Sequence, residues 1–480
     1  MMDLSVSKVE HAAPNAEAAK KGRELVARQK FNPLKIDREK TLLWGECSGS
    51  GKNPYYCSAD FVEENNPVFR CNCPSRQFPC KHCLGLMFAY IQGLPFQTSD
   101  IPQDILDKRQ KKEQRQEKKE QEKLTVKEQE SKPKKVNTPA IIKKAETQLQ
   151  GIEIARKILL NTTLNGLSSV DAKERKSMEA QVKELGNYYI PGVQSAFNHL
   201  LLEVAEVENE DYTPVINQIN YIVALLQKAT DHLNRRKKNP EAPLEISSAI
   251  EEQIGHIWKL TELMQAGLYE EHAELLQLSF NCIDNPSRKE WVDEGAWINL
   301  KTGKIYKTKN YRPYKAAKYI KEENSIFEVV HLKELYTYPG DLNPRIRWEP
   351  EAKTDRESTL EDIALVHRHA EENYAELLKS AKNVIKNPLA DKNPLALISL
   401  HNLFLHGEHL VAEDKEGNKL TISDIPGENP PSEKMLEMIL PRNPVGMSLL
   451  IMINNDLQSG LLSARPLSLI TGEHIVKLIY

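Results

Sequence analysis

Residues 70–83 read RCNCPSRQFPCKHC and hold Cys71, Cys73, Cys80 and His82 in a C-x-C…C-x-H pattern. Zinc prefers four soft or borderline ligands in a tetrahedron, and closed Cys3His sites take these ligands from two short chain segments. The six residues between the two halves are enough for a tight reversal, and a proline on either side restricts the backbone. The pattern therefore predicts one structural zinc ion held by these four residues.

Two other interpretations of the thiols are open, namely a cluster of buried core thiols and a disulfide in a secreted protein. The charge pattern favours metal binding, because three thiolates around a divalent ion leave a local charge of about minus one. Arg70, Arg76 and Lys81 lie close enough in sequence to offset that charge, and they are also our candidate contacts for a nucleic-acid phosphate. Cys83 falls on the apolar stripe of a short helix that follows, so we interpret it as a core residue.

The segments around the thiols complete a recognisable module. Residues 41–47 and 55–61 read as two strands of a hairpin around the turn-rich residues 48–54. A strand hairpin, C-x-C, a loop, C-x-H and a helix resembles the SWIM-type zinc finger over residues 41–95, and residues 151–193 resemble the helical region of large bacterial SWIM proteins. The resemblance implies a module that binds DNA or proteins and does not catalyse a reaction.

Cys47 and Cys57, in the predicted hairpin, are the remaining nearby thiols. They could form a second metal pair, but both lie in strand-like apolar runs and no further Cys or His completes a tetrahedron. We interpret them as core thiols.

Length and composition bound the class of protein. A chain of 480 residues with 40% hydrophobic residues predicts two to four packed domains. We find no secretory signal and no apolar run of the roughly 20 residues that span a bilayer. The prediction is a cytoplasmic protein without a membrane partner, and a net charge of −3 restricts nucleic-acid binding to local patches.

Two charged segments flank the predicted finger, which we bound at residues 41–97. Residues 1–40 read as a basic helical segment, which could face phosphate or could be a solvated surface. Residues 98–137 are almost entirely Lys, Glu, Gln and Arg over much of their length and cannot bury a core, so we predict a linker. A nucleic-acid-binding tail is the alternative for that segment.

The rest of the chain divides into three predicted parts. Residues 138–285 carry apolar residues at helical spacing and predict a helical bundle or a short helical solenoid, with helices also over 245–266 and 270–281. Residues 286–350 predict a small β-containing module, and residues 351–480 an α+β C-terminal domain. The overall prediction is an α+β multidomain protein with a zinc-stabilised ββα finger.

No sequence motif indicates catalysis, since a phosphate-binding G-x-x-x-x-G-K-[ST] loop, H-E-x-x-H and G-x-S-x-G are all absent. An enzymatic site in the C-terminal half would require His401, His406 and His409 to converge on a pocket. Aromatic and cationic residues also interleave over residues 306–318, as they do in single-stranded nucleic-acid grooves. We favour the alternative that these are rim residues of strands, with Tyr hydroxyls that reach water.

The sequence thus favours a bacterial, non-catalytic zinc scaffold or adaptor that binds a protein or nucleic-acid partner and no small-molecule substrate. One alternative is a DNA-binding accessory factor in repair or recombination. Another is an enzyme with an unrecognised site in the C-terminal half.

Overall fold

The computed structural model divides the chain into two compact units. One is Met1–Gln129 with Lys318–Lys321, and the other is Glu130–Ala317 with Glu322–Tyr480. The structure describes residues 4–49, 53–62, 67–75, 78–110, 137–164, 166–167, 170, 172–207, 211–317, 320, 323–340, 342–407, 409–425, 430–440, 444–455 and 460–479. Helices and sheets occur in both units, which confirms the α+β multidomain class. No helix in these ranges is long and apolar enough to cross a bilayer.

The N-terminal unit is a five-stranded sheet packed with helices. The strands have the order β4-β3-β2-β1-β5, and all neighbours are antiparallel except β1 and β5. Its elements are α1 (Val6–Ala12), α2 (Ala16–Ala27), β1 (Phe31–Ile36), β2 (Leu42–Cys47), β3 (Tyr55–Asp60), β4 (Val68–Cys71), α3 (Lys81–Ile91), β5 (Gln97–Thr98) and a helical segment α4 over residues 103–110.

Helix α3 lies at the centre of this unit, and every residue from His82 to Ala89 is buried. Glycines allow its neighbours to approach closely. A Cβ on Gly22 of α2 would lie 3.0 Å from Leu84 Cβ, and one on Gly85 would lie 2.7 Å from the Phe31 ring. Helix α2 and strand β1 can therefore pack closely against α3.

The prediction of a basic helical segment over residues 1–40 is wrong at the C-terminal end of that range. Residues 4–27 do contain two helices, but Phe31–Ile36 is a strand whose apolar residues face the core. Pro33 cannot donate a ladder hydrogen bond, and the pairing register with β2 shifts between Phe31 and Leu34. Burial of the apolar residues in the sheet outweighs the helical spacing of the cations.

The linker predicted over residues 98–137 begins as part of the N-terminal unit. Ile105 of α4 is buried against Leu42 and Trp44. Arg109 donates from Nη2 to Asp60 Oδ1 at 2.9 Å and from Nε to Oδ2 at 3.2 Å. The same carboxylate accepts Arg70 Nη1 at 3.1 Å. Residues 111–136, the main part of the predicted linker, lie outside the described residues.

The second unit begins with a helical layer. The helices within residues 138–254 share one core, and contacts of Arg156 with Thr230 and of Glu146 with Lys237 show that the two longest run antiparallel. A shared core is typical of a bundle rather than of a solenoid. The helices are α5 (Thr138–Leu164), α6 (Ala172–Glu184), α7 (Pro191–Ala205), α8 (Thr213–Lys238), α9 (Ile250–Ile254) and α10 (Leu260–Gln265).

The helix predicted over residues 270–281 is a strand. Residues Tyr269–Asn285 form β6, in which six consecutive residues, 275–280, are buried. A strand covered on both faces reads as a continuous apolar run, which periodicity cannot distinguish from a buried helix. The predicted domain boundary at residue 285 lies within a hairpin, because Asn285 pairs with Glu290.

Two sheets follow the bundle. The first has the order β10-β9-β6-β7-β8 with β11 on β9, and the second the order β12-β16-β17-β15-β14-β13 with β18 on β17. The first comprises β6, β7 (Glu290–Asn299), β8 (Ile305–Pro313), β9 (Val329–Thr337), β10 (Ile346–Arg347) and β11 (Lys353–Arg356). The second comprises β12 (Leu395–Ser399), β13 (Asn402–His406), β14 (His409–Glu413), β15 (Lys419–Ile422), β16 (Ser448–Asn455), β17 (Leu462–Ile470) and β18 (Ile475–Lys477).

Three helices accompany the second sheet, namely α11 (Leu360–Arg368), α12 (Tyr374–Ile385) and α13 (Ser432–Ile439). The two sheets share a core with α11, in which Leu276 and Ile298 of the first sheet pack with Leu397 and Leu450 of the second. Strand β11 also pairs with β9 across the predicted boundary at residue 350. Residues 286–350 and 351–480 are therefore packed together rather than separate.

Replacing Arg109 with methionine tests whether α4 belongs to the N-terminal unit. The change keeps an apolar stem but removes hydrogen bonds to a buried carboxylate, and such charged hydrogen bonds contribute about 1.5–3 kcal/mol. We expect faster amide hydrogen exchange in residues 103–110 and in β2, measured by mass spectrometry on the full chain. Lys108→Met is the matched control, since Lys108 makes only an exposed pair with Asp104. Equal exchange in the two variants would show that Asp60 does not hold α4.

Candidate metal centre

The four predicted zinc ligands come from two neighbouring elements of the N-terminal unit. Cys71 is the last residue of β4, and Cys73 follows it by two positions. Cys80 is the N-cap of α3, and His82 lies in the first turn of that helix. Strand pairing fixes the first two ligands and helix packing the second two, so the site joins the edge of the sheet to the start of the helix.

The side chains of these residues converge. The four candidate ligand atoms all lie within 4.8 Å of one another. His82 Nδ1 is 3.7 Å from Cys71 Sγ and 3.8 Å from Cys80 Sγ. A tetrahedral zinc ion with ordinary Zn–S and Zn–N distances of about 2.3 and 2.0 Å requires an S···N separation of about 3.5 Å. The measured distances are close to that value, so the group fits a tetrahedral ion such as zinc.

Burial makes the site closed on its inner side. Cys80 and His82 are 1% and 3% exposed, whereas Cys71 and Cys73 are half-buried. The Tyr55 ring packs on the His82 imidazole with a centroid separation of 4.7 Å. This contact orients the imidazole, and sequence inspection missed it because the two residues are far apart in the chain and no motif links them.

Cys83 lies beside the cluster as a core residue. Its Sγ is 3.8 Å from Cys80 Sγ and donates to the backbone carbonyl of Arg70 at 3.4 Å. The side chain is fully buried. Cys83 therefore belongs to the core that supports the ligands, as the apolar stripe predicts.

The thiols of the cluster are electrostatically coupled. A hydrogen bond with Cys71, followed by one with Cys83, lowers the pKa of Cys80 well below its usual range. The bond with Cys80 raises the pKa of Cys71, and burial raises that of Cys73. Metal ligands must be deprotonated, so metal binding at this site would release the protons of Cys71 and Cys73.

Cys47 and Cys57 behave as core thiols. Both are fully buried, and burial raises the pKa of Cys47 to about 11 and that of Cys57 well above its usual range. Within the described ranges, the Cys71, Cys73, Cys80 and His82 group is the one set of three or more Cys, His, Asp or Glu side chains placed to hold a metal.

The candidate phosphate contacts differ in their availability. Arg70 is engaged with the buried carboxylate of Asp60, so it is not a free surface cation. Lys81 is exposed at the start of α3. Arg76 lies outside the described residues. Of the three predicted cations, Lys81 is the one that the structure shows facing solvent.

A cleft of about 720 Å³ adjoins the metal cluster. One wall is α2, and the other is formed by the residues around the ligands. Lys21, Lys30 and Lys81 contribute positive charge, and Lys21 pairs with Glu17 in the same wall at 2.6 Å. Several other cations of the N-terminal segment are also paired with acids, including Arg23 with Glu10. The cleft is therefore mixed in charge with a positive excess.

The C-terminal histidines do not form a site together. His401 precedes β13 and His406 ends it, so about five strand residues at ~3.3 Å each separate them by roughly 16 Å. His406 pairs with His409 across the hairpin, and His409 Nδ1 lies 3.6 Å from Glu433 Oε1. The convergence that the enzymatic alternative required of these residues is absent.

Comparison with known proteins does not identify a family. No family model matches the sequence, and no curated protein matches it. Among solved structures, a chain described as "Structure of murine DNA binding protein bound with ds DNA" is similar at 10% identity and a TM-score of 0.19, over 43% of this chain and 100% of the other. A likeness at that TM-score carries no argument about fold or function.

Metal analysis of two cysteine variants tests the ligand assignment. We expect about one zinc per chain as purified, loss of that zinc in Cys73→Ser, and retention in Cys83→Ala, because only Cys73 belongs to the converging group. Inductively coupled plasma mass spectrometry on the full chain measures all three. Zinc retained by Cys73→Ser, or lost from Cys83→Ala alone, would contradict the assignment.

Acidification should release the metal. Protons compete with zinc for thiolates and imidazole, so occupancy is retained at neutral pH and falls as the pH decreases. A chromogenic zinc chelator, added at a series of pH values, reports the release. Release that does not depend on pH would argue against a thiolate-rich site.

Proposed function

We propose that this chain is a zinc-binding, non-catalytic scaffold whose N-terminal unit contains a SWIM-type finger that holds a macromolecular partner. The observation that carries the proposal is the convergence of four protein ligand atoms within 4.8 Å. A tetrahedral ion held by all four has no open position for water or substrate, which favours a structural role.

The position of the cluster supports a role in building a binding surface. The ligands connect the end of β4 to the start of α3, and α3 is the most buried helix of the unit. Structural zinc in small modules contributes folding free energy on the order of 10 kcal/mol. Binding of zinc at Cys71, Cys73, Cys80 and His82 would therefore hold the walls of the adjoining cleft in place.

The cleft beside the cluster is the proposed partner surface. It combines exposed lysines with the apolar side chain of Leu25 and the Tyr55 ring. Protein interfaces commonly have aromatic and apolar residues at the centre and polar residues around the rim. A protein partner with acidic residues around an apolar centre fits this lining.

DNA is the second candidate partner, as expected of an accessory factor in repair or recombination. The positive excess at Lys21, Lys30 and Lys81 supports it, because phosphate contacts are made by exposed cations. The engagement of Arg70 with Asp60 counts against a larger phosphate-binding patch.

A reducing, cytoplasmic setting in a bacterial cell completes the proposal. The seven cysteines form no disulfide bond with one another in the structure. Free thiols and a thiolate metal site both persist in reducing compartments. These observations support the compartment, and the bacterial origin rests on the resemblance to bacterial SWIM proteins.

A charge-reversed cleft distinguishes the partner classes. The variant Lys30→Glu with Lys81→Glu keeps all four metal ligands, but it removes a positive charge beside two of them. Binding is therefore compared only between samples with equal measured zinc content. Its matched control, Lys379→Glu with Lys434→Glu, changes two exposed lysines of the second unit. The assays are anisotropy of a fluorescent DNA duplex at increasing salt, and cross-linked capture of proteins by the full chain.

We expect a captured protein that the cleft variant loses several-fold and that the control retains. Salt-sensitive DNA binding that the cleft variant alone loses would instead establish the second candidate. A chain that binds neither DNA nor a protein through the cleft would overturn the proposed function.

A further inference from the structure

Lys477 is a buried lysine in the second unit, far from the metal centre in the sequence. It ends β18 and is 8% exposed. Its Nζ donates to Gln277 Oε1 at 2.8 Å and to the backbone carbonyl of Ile326 at 2.7 Å. The Phe327 ring lies against it, with the centroid 4.4 Å from Nζ. All three neighbours of the amine are uncharged.

The other buried lysine in the described part of the chain has a different environment. Lys307 is 5% exposed, and its Nζ lies 2.7 Å from Asp391 Oδ2 and 3.7 Å from Glu294 Oε1. Within the described residues, no carboxylate forms an ion pair with Lys477. A buried ammonium without a counter-ion is unfavourable, and an aromatic ring attracts it by only about 0.5–2 kcal/mol. The surroundings of Lys477 therefore favour the neutral amine.

Burial is the dominant influence on the titration of this group. It lowers the pKa of Lys477 to about 7, and the exposed carboxylate of Glu328 opposes the shift in part. Glu473 and His474, the other titratable residues around the amine, are both 78% exposed in their side chains and therefore well solvated. Burial therefore makes this amine lose its proton far more readily than an exposed lysine does.

The hydrogen-bond geometry suits a nucleophile. A neutral amine has two N–H groups and one lone pair, and the two acceptors on Gln277 and Ile326 match the two N–H groups. Within the described residues, the lone pair then accepts no hydrogen bond. Desolvation of this kind is one way in which proteins activate lysine as a nucleophile.

A cavity of about 230 Å³ has Lys477 among its lining residues. Its apolar walls come from Leu276 and Phe327 with Ile363 and Ile475, and polar groups of His474, Glu473 and Ser358 line the remainder. The volume suits a small organic molecule rather than a nucleotide or a peptide. All of these residues belong to the second unit.

We propose that this cavity is a covalent binding site for a small, largely apolar carbonyl compound, held as a Schiff base on Lys477. The amine lone pair attacks the carbonyl carbon and a C–N bond forms. The carbonyl oxygen leaves as water with the two amine hydrogens, giving an imine, and hydrolysis reverses the step. No oxidant or reductant is needed. The imidazole of His474 and the carboxyl of Glu473 line the same cavity and can transfer the protons.

The test traps the imine on the full-length protein at pH 7 with limiting benzaldehyde and cyanoborohydride, followed by peptide mass spectrometry. Only roughly one in 2,500 amines of an ordinary lysine with a pKa near 10.4 is neutral at that pH. We expect the adduct on Lys477 at least ~10-fold above that on Lys307 or on the exposed Lys379, because the reactive form is more abundant there.

Gln277→Glu is the decisive variant. It places a carboxylate at the position of the amide that accepts from Lys477, which stabilises the ammonium and should reduce the Lys477 adduct at least several-fold. Labelling of Lys379 should not change in this variant, so it serves as an internal reference. Hydrogen exchange that matches that of the parent protein shows that the variant is folded. Labelling of Lys477 no higher than that of Lys307, or unaffected by Gln277→Glu, would overturn the proposal.

Discussion

The N-terminal unit depends on one constraint, which is that the end of β4 and the start of α3 must meet at a single point. Cys71 and Cys73 on one side and Cys80 and His82 on the other satisfy it, because their ligand atoms lie within 4.8 Å of one another. Three thiols brought this close hydrogen bond poorly and repel one another when ionised, whereas a divalent ion turns the same arrangement into an attraction. Helix α3 is surrounded by the sheet and by α2, so a displacement at its first turn would disturb most of the core of the unit.

The second unit is held by a different kind of interaction. Strand β6 is 17 residues long and pairs with both β7 and β9, and its sheet packs on the C-terminal sheet. Contacts such as Lys477 to Gln277 join residues 200 positions apart. Residues 286–350 share one buried cluster with β6 and a second with β12, β16 and β17, so their core extends across the unit.

The sequence predicted the features that local spacing determines. Local spacing explains the convergence of Cys71, Cys73, Cys80 and His82. It also explains the core position of Cys83 and the hairpin upstream, because these features depend on residues close together in the chain. It failed where burial decides the structure, since the apolar residues 275–280 suit a helix or a covered strand equally. It also placed residues 103–110 in a linker, because the feature that orders them is the carboxylate of Asp60, about 50 positions away. The sequence also could not predict the surroundings of Tyr55 and Lys477, because strand pairing and sheet packing create them.

The two candidate sites differ in whether they leave a group available to react with a bound molecule. A zinc ion at the Cys3His group would have its tetrahedron filled by protein, so it could support a surface but could not activate a substrate. At Lys477, by contrast, the protein accepts hydrogen bonds from both N–H groups of the neutral amine. The amine lone pair is then available to react with a bound molecule. A scaffold role for the first unit and covalent ligand binding in the second are therefore compatible. The scaffold role depends on four protein ligands that would complete the zinc coordination. The covalent role depends on an amine lone pair that can react with a bound molecule, and neither proposal requires the other.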